Sequence, residues 1–561
     1  MPAIPARVRA DPADPRAGAT ARAGPGRLGG LAAALRRHWL IVILLAAGLA
    51  LRVVTQLAYR PALVYIDSIK YLFGAYPGND PPGYQLMLQA FLKVGTLATV
   101  AALQHLAGLA MAVVLYLVLR RRGVPNWLAA LATAPLLLDA YQLQIEQSIM
   151  PDTAFEVLIV AALAALLWER RPPAALVLLG GLALGASATV RQVGEIFILP
   201  ALLYLLVAVA GWQRKLVQAV ALAAAFALPI LFISYRNYVT IKHFALAPYA
   251  AGTIYGRTAA AADCATLTLP RYQRPLCPPH RQQVLGPDWL DHGAGSPIKT
   301  AVPPTGVPHI TFADGFSRQV LVQQPFRVAA AWGRDSVKLF ALRRVTARGD
   351  VSVTRWQFQR DYPVYPPYIS LRHGRLQFVH LTPAGKARVI RAGHRYADRP
   401  AVDAGLAGFL RSYQLTGGYT PGPLFLLATV AGLAGCAGLL RRRASAERRA
   451  TAEACLLTMA SAVAVLLASD FFEFSWRYQL PGLVTLPPAG ALGIMVVAGY
   501  LADRRRPART RARTGRAGCP GCPGWPGRRR PGAARTGPTP ARRPALSAPG
   551  PRSAAARAGT S

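Results

Sequence analysis

Charge is what the longest stretches of this 561-residue chain lack. Runs of Leu, Ala, Val and Ile recur almost uninterrupted by an ionisable side chain. Each is about 17 to 25 residues long, enough to cross a hydrocarbon core of roughly 30 Å as helix. A soluble helix rarely stays apolar on every face for that length, so a soluble fold is set aside. Acids are scarce: 24 Asp and Glu stand against 64 Lys and Arg, a net charge of +40. Such an excess raises nucleic acid as a partner, but no aromatic-interleaved basic motif accompanies it, so none is expected. The chain also lacks two related halves, and His105 is the lone exception to sparse mid-span charge, where it reads as a hydrogen-bonded packing residue. Both absences weigh against the alternative reading, a polytopic transporter or lipid flippase.

What is present is a set of ten apolar runs, near 39–59, 97–119, 126–143, 151–168, 174–190, 194–212, 216–235, 422–440, 453–469 and 479–501. The expected fold is therefore all-α and polytopic, with about ten transmembrane helices. Arg36-Arg37, Arg120 to Arg122, Arg170-Arg171, Arg214-Lys215, Arg441 to Arg443 and Arg504 to Arg506 all fall on one side of these runs. That is the positive-inside pattern, which predicts a multi-pass cell-membrane protein with both termini cytoplasmic. Residues 1–38 form a basic arm with no cleavable signal peptide expected, and 39–235 hold spans 1–7. Residues 421–502 hold spans 8–10, and the Arg/Pro/Gly-rich tail 503–561 is expected to be disordered against lipid headgroups. Two long loops face outward: 60–96, and 236–420, which is large enough for a small mixed α+β or irregular extracytoplasmic module. Small residues in "LLGGLALGASA" suit close helix packing in lipid.

Six cysteines follow the same map. Cys264 and Cys277 share the large outer loop, where oxidation is permitted, and are expected to form a disulfide. Cys436 and Cys455 lie in or beside spans as apolar filler, and the "CPGC" at Cys519–Cys522 has no second half to make a zinc site.

Few acids lie on the outer side near a span: Asp67 in the first loop, Glu146, Asp152 and Glu156 around the fourth span, and Asp470 and Glu473 before the last. Charge at membrane depth costs a few kcal/mol, so such groups mark function or pair with one another. Asp67, Lys70 and Tyr71 stand at i, i+3 and i+4, one face of a short helix. A plain Asp67–Lys70 surface pair is the competing account, worth well under about 1 kcal/mol. Arg191, Arg236 and Arg477 break the positive-inside rule by lying outside; they either snorkel at the interface or bind a phosphate, for which a guanidinium fork is suited.

In order along the chain come "YIDSIKY", "PPGYQLML", "IEQSIMPDTAF", "TVRQVG", "RNY" and "WRYQLP". This ordered set, over roughly residues 39–500, resembles the GT-C class of integral-membrane glycosyltransferases, which includes protein O-mannosyltransferases and the aminoarabinose and mycobacterial arabinose transferases. The resemblance implies a GT-C-like fold and transfer of a sugar, hexose or pentose, from a polyprenyl-phosphate donor to an acceptor hydroxyl on the outer face. The acceptor class is an envelope glycan, lipid or protein. It implies Asp67 as catalytic base or metal-coordinating group, with Glu146 as a second catalytic acid. A divalent metal (Mg, Mn or Ca) would sit on Asp67, Glu146 and Asp152. It also implies donor-phosphate binding by Arg191 and Arg477, helped by Lys70 and Tyr478. The chain departs from the protein O-mannosyltransferase pattern at Ser68, where those enzymes carry a second acid.

Overall fold

The computed structural model describes residues 35–74, 77–249, 253–366, 368–381, 387–391, 399–441 and 444–505. Most of the basic N-terminal arm, the arginine-rich tail and Cys519–Cys522 lie outside them. Among the described residues, the helices of the first half include α1 (Trp39–Ala58), α2 (Ser68–Phe73), α3 (Gly83–Phe91), α4 (Leu97–Arg121), α5 (Asn126–Leu138), α6 (Ala140–Gln147), α7 (Asp152–Leu167), α8 (Ala174–Val190), α9 (Ile198–Ala208) and α10 (Trp212–Ile241). Near the C-terminus come α16 (Gly422–Ala437), α17 (Ala446–Phe472) and α18 (Gly482–Arg505), after the helices of the intervening segment described below.

Among the described residues, six helices are long and apolar enough to cross a membrane, and up to seven if the bent pair α5–α6 counts as one. The other expected spans fall on shorter apolar helices. At 1.5 Å per residue the 16 residues of α7 reach about 24 Å, short of a roughly 30 Å core. The α5–α6 bend of 52° has a local cause. Pro135 cannot donate to the helix ladder, and Asp139 leaves helical geometry to accept from the Tyr141 amide (3.0 Å) as cap of the next helix. The small-residue expectation holds: a Cβ on Gly181 of α8 would lie 2.6 Å from the Leu222 carbonyl of α10, so only glycine lets the two backbones meet.

Among its described residues, the segment between α10 and α16 is largely helical, with a small three-stranded sheet and one further short strand paired outside the segment. Helices α11 (Thr253–Ala261), α12 (Gly286–His292), α13 (His309–Gln323) and α14 (Pro325–Ser336) enclose a core that includes Tyr255, Leu290, Phe312, Phe316, Val320 and Val328. "ITFADGF" belongs to α13, where Phe312, Phe316 and Val320 repeat every fourth residue on its buried face. The Cys264–Cys277 disulfide forms at the edge of this core. Strand β1 (Tyr59–Arg60) pairs antiparallel with β5 (Ala401–Val402), which ties the end of α1 to the start of α15 (Ala404–Leu415). A three-stranded antiparallel sheet β2–β3–β4 (Ile369–Arg372, Arg375–Leu381, Ala387–Arg391) is in register at Ile369↔Phe378↔Ile390. Ile369, Leu376 and Phe378 join the same apolar core as the long helices, so sheet and helix bundle pack as one body.

Candidate functional site

The first loop is held by backbone pairing to the turn between α6 and α7. Leu63 N–H donates to the Gln147 carbonyl (2.9 Å), and Ile149 N–H returns to the Leu63 carbonyl (2.9 Å). Ser68, where a second acid was looked for, is fully buried. Its hydroxyl accepts from the Tyr65 amide (2.8 Å) and donates to the Ile149 carbonyl (2.9 Å). That residue is a fastener for the loop, and Asp67 beside it is left about a quarter exposed. The Pro81-Pro82-Gly83 corner is fixed from the other side, because any Cβ on Gly83 would overlap the Thr189 backbone. Thr189 precedes Arg191 by two residues, so the corner also locates the end of α8.

Arg477 lies in a short 3-10 turn, Trp476–Gln479, ahead of α18. Its Nε donates to both Asp152 oxygens at 3.0 Å, its Nη2 is 3.0 Å from Asp152 Oδ2, and its Nη1 reaches Asp67 Oδ2 at 3.2 Å. One guanidinium thus bridges two carboxylates that are 85 residues apart in sequence (152 − 67). Trp356 and Tyr478 flank it, with ring centroids 5.2 and 5.6 Å away. Arg191 donates to Asp152 as well, 5.1 Å from the Tyr478 ring. Lys70 sits between Asp67 (3.2 Å) and Asp80 (2.8 Å). The structure therefore brings Asp67, Lys70, Asp152, Arg191, Arg477 and Tyr478 into one network of ion pairs and ring contacts.

Glu146 is not part of it. It is completely buried, with Oε1 bound by Arg52 Nη2 (2.8 Å) and Oε2 by His105 Nδ1 (2.9 Å). His105 Nε2 meets Gln147 Oε1 at 2.8 Å, so its expected packing role holds. Glu146 therefore stands apart from the Asp67 network, and the expected metal trio of Asp67, Glu146 and Asp152 is not gathered at one point. Among the described residues no group of three His, Cys, Asp or Glu side chains gathers to hold a metal ion. Arg477 occupies the space between Asp67 and Asp152, and Arg52 holds Glu146 elsewhere. These donors do not fit a divalent ion.

Several members of the site were not singled out from sequence. Asp80 had no helical spacing to suggest it. Arg355 donates to the Tyr65 hydroxyl and to Asp288 Oδ2, both at 3.3 Å, and thereby attaches the segment between α10 and α16 to the first loop. Glu473, which the sequence did single out beside the last span, accepts from the Tyr478 hydroxyl at 3.1 Å.

Electrostatics divides the acids. Burial alone would raise the Asp67 carboxyl, but Lys70 and then Arg477 outweigh it and hold it well below the usual carboxylate range. Glu473 goes the other way: burial, reinforced by Asp288, pushes it up to about 7. Asp291 is pushed up to about 8 by burial against a single backbone donor, the Gly256 amide at 2.8 Å, with Glu473 and Asp288 adding repulsion and Lys299 opposing. An unfolded Asp ionises near pH 4. Between there and about 8 the fold binds the extra proton, so stability falls as pH rises through that window. Asp291→Asn should therefore raise the thermal midpoint, with a gain that grows from about pH 4 to about pH 8 and is flat above. A gain independent of pH would show that Asp291 keeps no proton in the fold.

Residues 60–245 match the family model described as dolichyl-phosphate-mannose-protein mannosyltransferase. The chain resembles the GT-C glycosyltransferases. The match takes in Asp67, Lys70, Asp152 and Arg191 and covers about a third of the chain. No curated protein matches. Similar solved structures include the S. cerevisiae protein O-mannosyltransferase Pmt1–Pmt2 complex bound to the sugar donor. It is 16% identical over 40% of this chain and 36% of that one, with a TM-score of 0.30. Another is the oligosaccharyltransferase AglB from Archaeoglobus fulgidus with an inhibitory peptide and a dolichol-phosphate, at 14%, 85%, 52% and 0.37 for the same quantities. A third is ArnT from Cupriavidus metallidurans bound to undecaprenyl phosphate, at 13%, 83%, 80% and 0.28. The chain thus spans 36% and 52% of the first two, and at these TM-scores the likeness is distant.

Proposed function

We propose that this protein is a membrane glycosyltransferase that moves a sugar from a polyprenyl-phosphate donor to an acceptor hydroxyl at the outer face of a cell membrane. In this reading the chain crosses ten times, with both termini cytoplasmic and 236–420 outside. The single observation that carries it is the Arg477 bridge between Asp67 and Asp152, with Arg191 and Lys70 at its two ends.

The chemistry follows from what each group can do. The acceptor oxygen forms a bond to the anomeric carbon as the bond from that carbon to the phosphate oxygen breaks. The electron pair leaves with polyprenyl phosphate. The acceptor's proton needs a base within hydrogen-bond reach, and Asp67 is the partly exposed carboxylate of the network. The negative charge gathering on the departing phosphate needs cations already in place, which Arg477, Arg191 and Lys70 supply. A donor phosphate competes with Asp67 for Arg477 and Lys70. Once it has drawn them away, Asp67 loses the charges that hold its proton affinity down and becomes a better base. Donor binding and base activation are then one event.

The test is purified protein in lipid nanodiscs, offered labelled polyprenyl-phosphate hexoses and pentoses, with Arg191→Gln and Lys70→Gln alongside. These two are preferred to an Arg477 variant, which would strip Asp152 of a bidentate partner. Each removes one charge-assisted contact, so donor affinity should fall about 10- to 100-fold. Transfer from none of the donors, or unchanged affinity in both variants, would overturn the reading. Reporter fusions after Gly286 and Arg443 giving equal readouts would overturn its orientation.

A further inference from the structure

The strip of chain from Phe326 to Val345 turns apolar side chains away from the protein. Along α14 and into the 3-10 turn Val337–Phe340, Phe326, Ala329, Ala330, Gly333 and Val337 stand at i, i+3, i+4, i+7 and i+11. That spacing is one helix face, and all five are exposed. Phe326 is 87% and Val337 61% exposed, and a Cβ on Gly333 would meet nothing within 4 Å, so the face is open along its length. Val328 and Asp335 lie on the opposite, buried face. Leu342 and Val345 continue the run at 66% and 58% exposed. Large apolar side chains gathered in one open strip mark an interaction surface.

Two contacts fix the level of the strip. Trp332 Nε1 donates to the Leu467 carbonyl of α17 (2.8 Å), and the Trp332 ring meets that of Phe471 edge to face at 5.4 Å. Further along, a Cβ on Gly422, the first residue of α16, would stand 2.2 Å from the Ala341 carbonyl. The strip therefore lies directly on that helix end. Leu467 is 18 residues beyond Arg449 (467 − 449), and Gly422 is 19 before Arg441 (441 − 422). At 1.5 Å per residue both points stand about 27 to 29 Å from those arginines, close to the roughly 30 Å of a hydrocarbon core. The strip thus meets two spans at one depth, where acyl chains give way to headgroups. Its open face adjoins the exposed apolar side chains of the same spans, Val463 and Leu467 in α17 and Leu424 and Leu427 in α16. Exposed Arg334, Arg343 and Arg348 are interspersed among the apolar positions, the composition of a segment that lies flat at an interface.

From this geometry we propose that Phe326–Val345 is seated in the surface of the phospholipid bilayer, with Phe326, Val337, Leu342 and Val345 among the acyl chains. Lipid is the occupant rather than a second copy of the chain, because the depth of the strip already places it against lipid. This seating depends on the spans and not on the transfer chemistry, so its failure would leave the reading of Asp67 untouched. The strip also grips the stretch that leads to Arg477. Lys338 pairs with Asp335 (2.6 Å) and with Asp350, and its ammonium stands 4.7 Å over the Phe474 ring.

The experiment places the photoreactive residue benzoylphenylalanine at Phe326, at Leu342 or at Phe312 in the full-length protein, held in phosphatidylcholine nanodiscs. The first two positions are exposed, so the larger ring disturbs no packing there. After irradiation, intact-mass spectrometry should show the mass of one phospholipid added at Phe326 and at Leu342. Phe312, buried in the neighbouring core at 1% exposed, should gain none. A gain equal to a second chain at Phe326 or Leu342 would make another copy the occupant and overturn the bilayer. No adduct at either position would show a strip facing water and overturn the inference outright, and lipid adducts equally frequent at Phe312 would do the same.

Discussion

Asp67→Asn is expected to lower turnover by about 10² to 10⁴, the usual cost of losing an acid–base group. The change keeps size and shape and removes only the charge. Two further readouts separate this outcome from a loss of fold. Asp67 is about a quarter exposed, and Lys70 keeps Asp80 as a partner, so the thermal midpoint should barely move. Donor affinity should hold or rise, because Arg477 loses a carboxylate that competes with the phosphate. The rival base is Glu473, which burial pushes up to about 7. If Glu473 takes the proton, rate climbs as pH rises through about 7, and Asp67→Asn keeps the same climb. If Asp67 does, the residual activity of Asp67→Asn is small at every pH. A variant retaining more than about a third of parental turnover would end the assignment to Asp67.

How much of this was legible in the sequence depends on which physical rule each residue broke. Arg191 and Arg477 stood out because outer-side arginines oppose the positive-inside rule, and both sit in the network. Lys70 stood out through its i, i+3 spacing to Asp67, and the pair forms at 3.2 Å. Arg52 stayed hidden for the opposite reason. One arginine in a 20-residue apolar run does not stop it reading as a span, and its partner is 94 residues away in the chain. The pairing of Glu146 was not legible because "YQLQIEQ" looks like a polar loop on the way back into lipid, whereas every residue of α6 is buried. Polarity there marks an internal hydrogen-bond network, and only the fold shows which. The segment between α10 and α16 was least legible. The positions of Arg355 and Asp288 opposite the first loop follow from tertiary packing, since short apolar patterns such as "ITFADGF" suit strand or helix equally until a core selects one face.

The Arg52–Glu146 pair leads to the second large effect. Arg52 does more than neutralise Glu146: its Nη1 also donates to the Gly48 and Leu137 carbonyls (3.1 and 3.0 Å), and its Nη2 to that of Leu136 (3.1 Å). Those at Leu136 and Leu137 are among the carbonyls that the end of α5 leaves without helical partners. Glycine makes the room, because a Cβ on Gly48 would stand 3.2 Å from Arg52 Nη1 and one on Gly108 would overlap the Glu146 carboxylate. Arg52→Leu should therefore destabilise the protein by about 3–5 kcal/mol, since it leaves a buried carboxylate uncompensated. Arg52→Leu with Glu146→Leu should recover much of that loss, because the charge left behind is removed too, and the double-mutant change less the changes of Arg52→Leu and Glu146→Leu measured singly is the coupling. Glu146→Gln provides the opposite check on function. A structural Glu146 predicts a lowered thermal midpoint with turnover per folded molecule within a few-fold of the parent. A catalytic one predicts an unchanged midpoint with turnover down by about 10² or more. Thermal unfolding in nanodiscs, read beside turnover on the same samples, separates the two, and the second pattern would return Glu146 to the chemistry.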